Sequence, residues 1–146
     1  MSSASRRSAG ILLLVLPTVV WGGVSILSLL ISEPGYRENQ LRQDLWRAGH
    51  AHAGVLLILA LVALRYVDEA NLSDRLKQLV RITLPSAAIL LPVAFFVSVL
   101  TPDATTPNGF INLAYVGAAA LVVGLLVLGV GLVRQRTDGV VNPSRS

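Results

Sequence analysis

Four stretches of this chain, at residues 11–31, 48–67, 82–100 and 113–133, are continuously apolar over lengths that fit a lipid bilayer. A hydrocarbon core about 30 Å thick needs about 20 mostly apolar residues at roughly 1.5 Å rise each. A helix on a soluble protein would instead show one apolar stripe and a polar remainder. The runs therefore predict an all-α polytopic membrane protein of four transmembrane helices in an up-down antiparallel bundle, with the bilayer of the cell membrane as its first partner. Composition agrees, because only 14% of the 146 residues are charged, against about 25% in soluble domains. The connections "SEPGYRENQLRQDLWR", "DEANLSDRLKQLVR" and "TPDATTPNGFIN" are short and polar, which suits antiparallel neighbours. Residues 1–9 and 134–146 read as flexible cytoplasmic tails around a membrane domain at 10–133.

The formal net charge of +4 does not point to nucleic acid, since the basic residues lie scattered over the connections and few aromatics accompany them. Topology accounts for them better. With the N-terminus inside, the cytoplasmic side holds Arg6, Arg7, Arg65, Arg75, Lys77, Arg81, Arg134, Arg136 and Arg145, and only Arg37, Arg42 and Arg47 lie outside. Lys and Arg excess marks the cytoplasmic side, so both termini are expected there. "SRRSAGILLLVL" opens like a secretion signal. Its apolar run exceeds the 7–15 or so residues of a signal core, and three more spans follow, so an uncleaved first span is expected.

Helices associate in lipid mainly through close packing of small residues. Gly117, Gly124 and Gly131 recur every seven residues in the fourth span, and Gly49, Ala53, Leu56, Ala60 and Ala63 draw a similar line down the second. Both stripes are expected to be helix contacts, within one bundle or between subunits. Pro17, Pro85 and Pro92 fall inside spans, where each removes a helical hydrogen bond. "SDRLKQLVR", with Ser73 as cap, reads as a short interfacial helix carrying Leu76, Leu79 and Val80.

The chain's two histidines, His50 and His52, stand in "RAGHAHAG" at the entry to the second span. The chain has no cysteine, so a metal here would have only nitrogen and oxygen ligands. On a helix, positions two apart point about 160° away from each other. One ion cannot then take both rings, and a haem held by both within one subunit is excluded; no metal site is assigned. A haem with one ligand, or with ligands shared across a dimer, is left open. One ring should turn toward the bundle, and the small-residue line at Gly49 and Leu56 favours His52. Glu33, Asp103, Asn112 and Tyr115 occupy the same outer level and complete a candidate ligand-binding set with His52 and His50. The bland alternative is that both histidines anchor the chain at the headgroups, as Tyr36 and Trp46 do. The apolar centres of the other spans hold no Asp, Glu, Lys or Arg, which argues against a proton relay or ion path through the monomer.

Through "LRQDLWRAGHAHAGVLLILALVALRYVDEA", residues 41–70, the chain resembles a group of small four-span bacterial membrane proteins of unknown function with a similar RAGHAHAG entry to the second span. The likeness covers most of the chain and implies the four-span plan without an activity. In size and plan the chain is also similar to the hydroxylaminobenzene mutases, four-span enzymes that isomerise hydroxylamino compounds; none of their residues is matched here. Two functions are expected from these observations. One is binding of a small ligand, haem or metal at an outer site around the histidines. The other is an accessory or assembly role, docking a larger membrane complex or a second copy through the Gly/Ala faces. Whether the protein is an enzyme, and which cofactor it holds, stay open.

Overall fold

Helix ends in this chain are set by short polar residues placed next to apolar runs. The Ser2 hydroxyl accepts the Ser5 N–H and opens α1, Ser3–Ser32. Pro34, whose fixed φ suits a first helical position, starts the short α2, Pro34–Glu38. The Asn39 side chain accepts the Arg42 N–H at the head of α3, Gln40–Val67. After α4, Asp74–Val97, Asn108 caps a 3-10 turn at Gly109–Asn112 that leads into α5, Leu113–Val133. The computed structural model describes residues 1–134; among them there is no strand, and α1, α3, α4 and the Gly109–Val133 segment are each long and apolar enough to cross a membrane.

The four long helices stand in a row, α1 on α3, α3 on α4 and α4 on α5, and α1 does not touch α5. The arrangement is an open row, with α4 well covered on two sides and α1 covered chiefly on one. An open row of this kind suits a lipid surrounding, where tails would solvate Leu and Val as well as a neighbouring helix does and no apolar force would drive a ring shut.

Where the row is tight, glycine makes it so. A Cβ on Gly124 would sit 2.6 Å from both Leu84 Cδ2 and Thr83 Oγ1 of α4, and one on Gly117 would sit 3.0 Å from Leu91 Cγ. Gly131 meets Leu72 of the α3–α4 connection, and its carbonyl accepts the Asn71 N–H at 2.9 Å. Gly49 of α3 receives the Phe96 ring, with Leu56, Ala60 and Ala63 buried below it and Ala53 half-buried. Both small-residue stripes therefore make helix contacts within the chain, the second leaving Ala53 half-buried.

Two other expectations give way. Residues 1–9 are not a loose tail, since α1 starts at Ser3 and Ser5 is fully buried. The Ser2 N–H donates to Asp68 Oδ2 at 2.6 Å and the Ser5 hydroxyl to Asp68 Oδ1 at 3.2 Å. Residues 74–81 are not a separate interfacial helix but the first turns of α4, with Val80 buried. The expected tail at 135–146 lies outside the described residues.

Candidate functional site

On α3, Trp46, His50, Ala53 and Leu57 are spaced so that they share one face. The helix packs α4 on one side of that face and α1 on the other, and α1 barely reaches α4. A cleft is left between α1 and α4, with α3 as its floor. Its lower chamber, about 190 Å³, is walled by Val15, Thr18, Val19 and Gly22 of α1 and by Ala88, Ile89, Pro92, Val93 and Phe96 of α4, over His50, Ala53 and Leu57. The upper chamber, about 760 Å³, lies among Trp21, Ser25, Ser28 and Leu29 of α1, Trp46, Phe96 and Leu100. Thr18, Gly22 and Phe96 border both.

His50 is half-buried and rests on a notch made by two glycines. A Cβ at Gly23 would lie 2.8 Å from its Cε1 and 3.0 Å from its Nε2, and one at Gly22 would come within 4.0 Å of Nδ1. Of the two imidazoles, only that of His52 is hydrogen-bonded among the described residues. In its neutral form an imidazole has one donor and one acceptor to place, so His50 brings unmet hydrogen-bonding capacity to an otherwise apolar chamber.

His52 was expected to be the inward ring; the structure reverses the pair. His52 is exposed, its Nδ1 lies 2.7 Å from the Ala48 carbonyl, and its ring meets Phe95 edge-on at 5.3 Å between centroids. The Gly49 line does mark a helix contact, with α4, but α1 crosses the neighbouring face, where Gly54 approaches Val19. The pair Gly22-Gly23 in the first span is the sequence signal that would have identified His50.

The acidic and polar companions do not assemble around either histidine. Glu33, Asp103, Asn112 and Tyr115 are all exposed. Glu33 ends α1, where its backbone carbonyl accepts the Tyr36 and Arg37 N–H groups. The Asn112 amide donates to the Gly109 carbonyl, and Tyr115 is 74% exposed. Level along the helices is encoded in sequence distance, but position around the row is not, and among the described residues none of these four makes a hydrogen bond or ion pair to either ring. Among the described residues no group of three or more His, Asp or Glu side chains is arranged to hold a metal.

Two polar clusters that the sequence did not single out frame the helices. At the end near α2, Arg42 is buried, donating through Nε to the Val99 carbonyl at 3.1 Å and through Nη2 to that of Leu100 at 3.4 Å. Its guanidinium lies 4.7 Å from the Trp46 ring centroid and 5.7 Å from that of Tyr36. A cation there satisfies carbonyls just past the C-terminus of α4 and opposes the negative end of its dipole. Tyr36 is wholly buried and its hydroxyl makes no hydrogen bond. Burial pushes the phenol's pKa up, against the pull of Arg47 and Arg42.

At the opposite end Asp68 accepts from Arg81 at 2.7 Å, from the Ser2 N–H and from the Ser5 hydroxyl, while Arg81 Nε also donates to Ser5 at 3.0 Å. Burial alone would raise the Asp68 pKa; the Ser2 N–H, Arg81 and the two serine hydroxyls outweigh it and hold it at about 2. The cluster ties the start of α1 to the α3–α4 turn.

No family model, no curated protein and no solved structure matches this chain. Function rests on the cleft itself.

Proposed function

We propose that the protein stands across the cell membrane as an up-down row of four helices, with the Asp68–Arg81 end cytoplasmic, and binds a small lipid-soluble ligand in the α1–α4 cleft through His50. The orientation is supported by the excess of Arg and Lys at that end. The binding reading is carried by one observation, the unpartnered imidazole of His50 seated on Gly22-Gly23 in an apolar chamber. Leaving a half-buried polar group in apolar surroundings without a partner carries a cost that grows with its burial. Intramembrane ionisable side chains are rare and mark ligand or ion sites. A ligand that supplies the missing hydrogen bond converts that cost into affinity.

The test is extraction into lipid nanodiscs followed by mass spectrometry of small molecules that stay bound. The wild type and His52→Leu are expected to retain the same compound, and His50→Leu to lose it. Equal retention by His50→Leu would overturn the assignment.

A further inference from the structure

We infer that the ligand is a single-ring compound bearing one hydrogen-bonding substituent, with the ring in the lower chamber and the substituent on His50; this rests on the ligand-binding reading above. Size is the first argument. A cavity of about 150 Å³ lined by aliphatic and aromatic side chains takes up benzene, and the lower chamber offers about 190 Å³ with walls of that kind.

Shape is the second. Leu57 and Ala88 at the chamber wall are 2% and 3% exposed and belong to the core, as does Leu12, one turn below Val15. The chamber is thus closed by packed side chains toward α3 and the foot of α1 but open past Ile89 and Val93, which are 47% and 39% exposed. A ring matches the depth of this recess, whereas an acyl chain would have to leave through the open side.

Polarity is the third. Thr18 and His50 are the only polar side chains lining this chamber. The Thr18 hydroxyl already donates to the Val15 carbonyl at 2.7 Å. The imidazole is then the one side-chain group there with a donor uncommitted, and it sits beside Gly22, where the chamber meets the wider upper one. One hydroxyl, carbonyl or amine on the ring matches that single group; a second polar substituent would face apolar wall and lose its hydration.

The probe is para-fluorophenol titrated into the full chain in nanodiscs and followed by fluorine NMR, with fluorobenzene and palmitate as competitors. Saturable binding of the phenol, tighter than that of fluorobenzene by about tenfold, is expected for one added hydrogen bond. That advantage should vanish in His50→Phe. Ala53→Leu, which fills the chamber and leaves His50 in place, should abolish both ring compounds. Palmitate should not compete. If palmitate binds in a His50-dependent way and the phenol does not, the single-ring inference fails while the ligand cleft stands. If neither binds and no co-purified compound depends on His50, both fail.

Discussion

The contact between α4 and α5 and the contact between α1 and α3 both use glycine, with opposite results. At Gly117 and Gly124 the missing side chain admits a neighbouring helix so closely that a methyl group would press on Leu91 at the first and displace Leu84 or Thr83 at the second. At Gly22 and Gly23 it admits an imidazole instead, and α1 stands away from α4. In water the gap beside α1 would be an exposed apolar surface and strongly disfavoured. In lipid the cost is small, so one residue type seals one half of the row and holds the other half open.

The largest effect that would test this contrast is Gly124→Leu, expected to remove about 3 kcal/mol of stability through overpacking, measured by SDS-driven unfolding in mixed micelles. Its control is Gly129→Leu on the same helix, where a Cβ meets nothing within 4 Å and the change should stay within about 0.5 kcal/mol. Equal losses at the two positions would mean that α5 does not pack on α4 through its glycines.

Next comes the clamp that fixes α1. The Asp68 pKa falls from 3.8 to about 2 on folding, a contribution of about 2 kcal/mol at neutral pH. A depressed carboxylate pKa stabilises above the unfolded value, and that stability is lost as pH falls through the folded one. Asp68→Asn should accordingly be less stable than wild type at pH near neutral, with the gap closing between about pH 4 and pH 2. A pH-independent gap would show that the carboxylate's charge is not what matters.

Smaller still is Gly23→Ala. The clash falls on the movable ring of His50 and not on backbone, so stability should drop by less than about 1 kcal/mol while ligand retention falls. Melting temperature and bound compound, measured on one preparation, separate the two effects. Last is Tyr36→Phe, which removes a buried hydroxyl with no partner and should be neutral or stabilising by up to about 1 kcal/mol; a clear loss would reveal a hydrogen bond at that oxygen.

Run length alone made the four spans legible, and α5 matches its apolar stretch at 113–133. The glycine stripe was legible too, because spacing on one helix is a local property. What the sequence left hidden depends on which helix lies over which face. His50 and His52 differ only in whether α1 or α4 is their neighbour, and Glu33 and Asp103 make no bond to either ring. The Ser2–Asp68 bond joins residues 66 apart, a pairing no local pattern announces. Short connections name neighbours along the row but do not say whether its ends meet.

Pro17 gives the first helix a further property. It lacks the N–H that would bond the carbonyl four residues back, and it divides a foot, fastened to Asp68 and Arg81, from an upper shaft that leans mainly on α3 and is held at its end by Arg37 of α2, which donates to the Ile31 carbonyl. Kinks concentrate at such residues. Under the ligand-binding reading proposed above, a sideways swing of the shaft would widen the gap between Trp21 and Leu100 and leave the foot in place, making the half of the slot remote from the clamp the doorway for molecules dissolved in the membrane.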